Sequence, residues 1–190
     1  DETDDSAVIQ NIVKVLYPSS IVRHETGGGY ELNFDARSTY IINSEILLPP
    51  FCRLNGNNCL LRGNNKLNDC FVSAQWSGNS LIKSADALIG SKPYQSWSSI
   101  ERFQFTKFNK NVHIYGWTQQ CYLEGLESYD SIQHIVSREH YFLTVERCTS
   151  SWTGVGSGLP NYDFGVYSGM LTLNNLQASS CDIAFRIYQG

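Results

Sequence analysis

Glu124 and Glu146 are two carboxylates that a repeating strand pattern would bring to one outward face. In the rows laid out below they lie one row and two residues apart. That puts their backbones about 8 Å apart, from a row step of ~4.8 Å and a strand step of ~6.6 Å. Carboxyl groups about 6.5–9.5 Å apart can cleave a glycosidic acetal with inversion, one protonating the leaving oxygen while the other activates water. The competing reading is a pair of surface acids. Asp163 and Tyr162 close a Gly-rich stretch and are further candidates by position, because loops on a rigid scaffold often carry function. Trp76, Trp97 and Trp117 fall in turn-like segments outside the apolar columns. An exposed indole can pack on the C–H face of a sugar while Asn, Ser or Arg bond its hydroxyls, so these three are candidate substrate-binding residues. Trp152 shares a column with Val112 and Ile132 and is expected in the core.

Other chemistries find less support. His24, His113, His134 and His140 show neither HxH nor HExxH spacing, so no metal site is read and each histidine is taken as satisfied or solvated. Gly27-Gly28-Gly29 and Gly154-Val155-Gly156-Ser157-Gly158 do not stand between a strand and a helix, which argues against phosphate cradles. Cys52, Cys59, Cys70, Cys121, Cys148 and Cys181 are too widely spaced for a zinc or redox CxxC motif. They are read as reduced, because Cys148 falls in an inward column and free Cys behaves as a small hydrophobe. No cofactor is expected.

The elements that would position these residues repeat. Apolar or small residues recur as Phe103, Phe105, Phe108, Val112; Leu123, Gly125, Ser128, Ile132; Leu143, Val145, Cys148, Trp152; and Leu171, Leu173, Leu176, Cys181. A fixed period of this length marks a solenoid, in which each repeat buries its apolar face against its neighbours. Alternation within the rows favours short parallel strands over helix pairs. A Gly/Pro/Asn-rich insertion at 153–163 lengthens the last gap. Asp4-Asp5-Ser6 ahead of Val8, Ile9, Ile12, Val13 and Leu16 reads as a capped amphipathic helix that covers the first repeat. The expected organisation is one domain over 1–190, with a capping helix at 5–17, first coils at 27–63, irregular coils at 64–99 and regular coils at 100–190. The abrupt end after Ile183-Ala184-Phe185-Arg186-Ile187 reads as a fragment of a longer chain.

Composition narrows the class. Charged residues make up 17% of the 190, against 11 Tyr, 9 Phe and 4 Trp, which suits an all-β protein with a hydroxyl- and amide-rich surface. The net charge of −4 with scattered Lys and Arg disfavours a nucleic-acid partner. No apolar run approaches 18 residues, so no membrane insertion is expected.

Thr3-Asp4-Asp5-Ser6-Ala7-Val8-Ile9-Gln10, Gly29-Tyr30-Glu31-Leu32-Asn33-Phe34, Thr39-Tyr40-Ile41-Ile42, Ile46-Leu47-Leu48-Pro49 and Leu54-Asn55-Gly56 together resemble the opening of the pectate-lyase-like right-handed parallel β-helices. Bacteriophage tailspikes and capsule depolymerases are the most similar in character. Members usually carry a Pro and a Gly where this chain has Asp35-Ala36-Arg37-Ser38. The resemblance implies an all-β, right-handed single-stranded parallel β-helix and a homotrimer in the virion tail. It also implies a bacterial surface polysaccharide, capsule or O-antigen, as partner, cleaved by a hydrolase or lyase. Because the architecture is shared with non-catalytic adhesins, a receptor-binding or structural segment of a tail fibre is the alternative. A secreted pectin-type lyase is a third, weaker reading.

Overall fold

The computed structural model describes residues 3–19, 30–86, 98–116 and 120–189. Among these residues the fold is all-β apart from one α-helix, Ser6–Leu16, and a short 3-10 turn, Ser84–Asp86. The strands build three parallel ladders. In the first, Leu32, Leu54, Ile100, Leu123, Val145 and Leu173 are successive Cα partners. In the second the succession is Tyr40, Leu61, Phe105, Ser128, Ser150 and Ala178. In the third it is Ile46, Phe71, Val112, Ile135, Tyr162 and Phe185. The chain visits the ladders in that order and returns to the first one rung further on. Long parallel sheets so connected are compatible with a β-helix.

Strand periodicity explains which residues face inward. Leu123 and Val145 are fully buried, while their neighbours Tyr122, Glu124, Thr144 and Glu146 are half-buried on the opposite face, as the two-residue pleat requires. The interior is filled by aromatic contacts running across rungs. Phe103 meets Phe34 at 5.0 Å and Phe71 at 5.2 Å between ring centroids, and Tyr162 stacks on Phe185 at 4.9 Å. Five of the six cysteines are buried, and none of the six is in a disulfide.

The corners between ladders use left-handed backbone at equivalent positions. Between the first and second ladders stand Arg102, Gly125, Arg147 and Asn175, with φ of 57°, 60°, 52° and 52°. Between the second and third stand Lys107, Asp130, Trp152 and Ser180, with φ of 64°, 53°, 54° and 51°. A non-glycine residue there costs roughly 1–2 kcal/mol, which hydrogen bonds to the next rung offset. Arg147 N–H donates to Asn174 O at 3.0 Å, and Trp152 N–H donates to Ser179 O at 3.2 Å.

The helix closes the first rung with side chains that imitate a strand. Ile9 and Val13 are buried beneath it. The Gln10 carboxamide accepts from Leu47 N–H at 2.6 Å and donates to Leu47 O at 3.1 Å. Asp5 donates its N–H to Ile41 O at 2.8 Å and accepts from Ile41 N–H on its carboxylate at 2.9 Å. The buried Tyr17 hydroxyl bonds to Tyr30 O and Arg53 O and accepts from Arg53 N–H.

A polar seam runs through the interior where the third ladder begins. Asn111, His134 and Asn161 are all fully buried. Asn111 donates to Ser128 Oγ at 2.6 Å and faces His134 Nδ1 at 3.0 Å, while His134 Nε2 lies 3.2 Å from Leu126 O. These partners assign the Nε2–H tautomer. Burial pushes the His134 imidazole down to about 4.

Three expectations need correction. The rows slip: Leu123 pairs with Ile100 and Val145, not with Phe103 and Leu143, although Leu143 does pair with Leu171. Trp152 is 56% exposed, because its true equivalents are the corner residues Lys107, Asp130 and Ser180 rather than the inward Val112. The insertion is also shorter than 153–163, since Pro160–Asn174 is already strand. In the irregular stretch, Phe71–Ser77 and Ser80–Lys83 pair antiparallel. Gly78, at φ 58°, supplies the positive φ that a two-residue hairpin turn needs.

Candidate functional site

The outer face of the first ladder carries a row of carboxylates. Glu101, Glu124 and Glu146 are Cα partners on successive rungs, flanked by Asn55 and Asn174 in the same column. Each strand step turns every second residue outward, so one register position repeated over rungs becomes a line of like side chains about 4.8 Å apart. Three neighbouring anions would repel. Arg147, from the adjoining corner, answers this with an ion pair to Glu124 and another to Glu146 Oε1 at 3.0 Å. Glu146 also accepts from Tyr122 Oη at 2.8 Å and from Asn174 Nδ2 at 3.1 Å. Burial and the bond to Glu146 raise the Tyr122 phenol above its ordinary range.

Glu124 and Glu146 therefore stand closer than the sequence suggested. They occupy one register position on adjacent rungs instead of being offset by two residues, because the rows pair with spacings of 23 and 22 residues rather than 20. Their strands are about 4.8 Å apart, and both carboxylates reach the one Arg147 guanidinium.

Beside this row lies a cleft of about 280 Å³ lined by Arg53, Ser98, Glu101, Gln120 and Tyr122, among others. It offers donors and acceptors of both kinds. The Ser98 hydroxyl is buried without a hydrogen-bond partner among the described residues.

The other expected residues lie elsewhere. Asp163 is on the third ladder, in a column with His113, Val136 and Arg186. It is buried and held by Arg138 Nη2 at 2.6 Å and by Arg186 Nε at 2.9 Å. Burial opposes its charge, but the two guanidinium groups prevail and keep its carboxyl below the usual range. Tyr162 points inward and is fully buried, with its hydroxyl donating to Gln177 O at 3.0 Å, so it faces the core rather than a ligand. Trp76 is half-buried against the helix end, its indole N–H donating to Tyr17 O at 3.1 Å. Trp97 and Trp117 lie outside the described residues, as do His24 and Gly27–Gly29.

One group of residues escaped the sequence reading. On the outer face of the third ladder, Asp69 receives His113 Nδ1 at 2.9 Å, Asn109 Nδ2 at 2.7 Å and Lys110 Nζ at 3.2 Å. Asp69 is 6% exposed, and these partners hold its carboxyl below the ordinary range against the opposing effect of burial. The group lines a cleft of about 320 Å³ together with Glu45, Lys83 and Asp86. No spacing in the sequence announces it, since Asp69 and His113 are 44 residues apart. No group of acidic, histidine or cysteine side chains suited to a metal ion is found among the described residues. No helix among them is long and apolar enough to cross a membrane. No protein-family model, curated protein or solved structure matches the chain.

Proposed function

We propose that the three ladders are the faces of a right-handed parallel β-helix of tailspike type, which binds a bacterial surface polysaccharide along the first ladder and cleaves it. The observation that carries this reading is the carboxylate row Glu101, Glu124 and Glu146 on successive rungs beside a polar cleft. A polymer of hydroxyls suits a surface whose hydrogen-bonding groups recur at every rung. Arg53 and Gln120 can bond sugar hydroxyls, and the buried Ser98 hydroxyl beside them has no hydrogen-bond partner among the described residues. The in-register pair supports a retaining hydrolase in which one glutamate attacks the anomeric carbon and the other protonates the leaving oxygen. Homotrimeric assembly in a virion tail belongs to the same reading and rests on the resemblance of residues 3–63.

Binding without cleavage is the second reading, and Arg147 favours it. A guanidinium paired to both glutamates stabilises two carboxylates, whereas acid catalysis needs one of them protonated.

Chain-length analysis of capsular and O-antigen polysaccharides after incubation with the protein tests the proposal. Shortening that Glu124→Gln and Glu146→Gln each reduce at least a hundredfold supports the hydrolase. Shortening unchanged in both variants removes the pair. New ultraviolet absorbance would mark a lyase instead, and retention of intact polysaccharide on the immobilised protein would mark the binding reading.

A further inference from the structure

The cleft on the third ladder is chemically separate from the carboxylate row, and its geometry is that of an oriented base. Asp69 is buried and accepts from His113 Nδ1 at 2.9 Å, which fixes both the tautomer and the ring orientation. His113 lines the cleft with a side chain that is 22% exposed. Its other ring nitrogen, Nε2, makes no hydrogen bond among the described residues. A buried carboxylate that orients an imidazole facing a cleft is the arrangement by which a histidine takes a proton from water.

We propose that Asp69 and His113 form a general-base pair that hydrolyses a small neutral acyl ester in this cleft. The charge of the lining selects a neutral substrate. Glu45, Asp69 and Asp86 stand against Lys83 and Lys110, with Lys83 paired to Glu45 at 2.5 Å and Lys110 to Asp69 at 3.2 Å. Neither an anion nor a cation finds a large excess of opposite charge. The volume of about 320 Å³ suits a small ester.

In the reaction His113 Nε2 removes a proton from water, and the water oxygen bonds to the acyl carbon. The negative charge develops on the carbonyl oxygen. Collapse breaks the bond to the alcohol oxygen, which takes the proton back from His113. Ester and water become carboxylic acid and alcohol, with no other reactant. Ser73 is not the nucleophile, because its hydroxyl is engaged with Tyr115 N–H at 2.7 Å and Tyr115 O at 3.1 Å.

The test is hydrolysis of 4-nitrophenyl acetate by the full chain, with thermal melts of each variant. Saturable turnover that His113→Gln lowers at least tenfold in kcat/KM, at an unchanged melting temperature, is the expected result. Asp69 is a positioning residue, so Asp69→Asn should lower kcat more than it changes KM. The titratable groups that line the cleft with His113 are Asp69, Lys110, Glu45, Lys83, Asp86 and Tyr115. Should Asp69→Asn fail to fold, His113→Gln decides alone. Non-saturable turnover equal to that of the same concentration of free imidazole overturns the proposal, as does full activity in folded His113→Gln. Since neither residue belongs to the carboxylate row, this outcome is independent of polysaccharide cleavage.

Discussion

Gln10 bonds Leu47 through both of its amide atoms, accepting from the main-chain N–H at 2.6 Å and donating to the carbonyl at 3.1 Å. A side chain thereby supplies the donor and acceptor that a neighbouring strand would have supplied. The edge is otherwise an exposed template for pairing with another chain. Replacing Gln10 with Ala leaves both Leu47 groups to water and removes two hydrogen bonds, each contributing about 1 kcal/mol. We expect a loss of roughly 1–2 kcal/mol in urea unfolding. A larger aggregated fraction should appear by light scattering at the same concentration.

His134 sets a pH dependence of stability. Its folded-state pKa of about 4 lies below the ordinary 6.5, so between these values the unfolded chain binds the proton that the folded chain refuses. Its contribution is therefore complete above pH 6.5 and is lost as pH falls toward 4, by roughly 3 kcal/mol at most. Asp4, Asp69 and Asp163, whose pKa values lie below 3.8, add losses only at lower pH. In His134→Asn the drop between pH 6.5 and 4 should shrink, measured as urea midpoints across that range. An unchanged slope would place the titrating group elsewhere.

Arg147 ties Glu124 to Glu146, yet its own side chain is 54% exposed. Arg147→Met should consequently change the melting temperature little, since solvent screens such pairs to about 0–1 kcal/mol. Its effect belongs to the carboxylates. With the cation gone, two like charges one rung apart face each other without a counter-ion. The rate of any polysaccharide cleavage should then differ from that of the wild type, and identical kinetics would show that Arg147 does not tune the pair.

Phe103 and Trp152 make opposite predictions about two aromatic residues. Phe103 is fully buried among Phe34, Phe71 and Phe105, so Phe103→Ala should cost about 3–5 kcal/mol through lost transfer energy and a cavity. Trp152 stands at an exposed corner. Trp152→Asn should change stability by less than about 0.5 kcal/mol, or raise it, because Asn tolerates the left-handed backbone there. Equal losses in guanidinium titrations would contradict the placing of Trp152 at an exposed corner.

Asp163 is the buried hub of two arginines. Asp163→Asn removes the charge that both guanidinium groups face, and we expect a loss of about 2–3 kcal/mol, below that of a fully buried pair because Arg186 is half exposed. The wild-type contribution is present above the ordinary carboxylate pKa and is lost as pH falls through the depressed one. The difference between wild type and variant should therefore narrow in strongly acidic unfolding experiments.

The sequence by itself determined the helix and the identity of most strands. Val8, Ile9, Ile12, Val13 and Leu16 behind Asp4-Asp5-Ser6 leave little alternative to a helix with one apolar face, and the observed helix is Ser6–Leu16. Alternation within the repeating rows likewise gave Leu123, Leu143 and Val145 their inward direction. The register was another matter. Sliding a strand by two residues keeps every apolar side chain inward, so Leu123 against Leu143 satisfies the pattern as well as Leu123 against Val145. What decides is the corner, where Glu101-Arg102, Glu124-Gly125, Glu146-Arg147 and Asn174-Asn175 must each turn through left-handed backbone. That constraint is local in geometry but silent in hydrophobicity. It stacks Glu101, Glu124 and Glu146 into one row and sends Trp152 outward. Contacts between rungs were equally out of reach, because the 44 residues separating Asp69 from His113 become neighbours only when the chain has passed from one rung to the next.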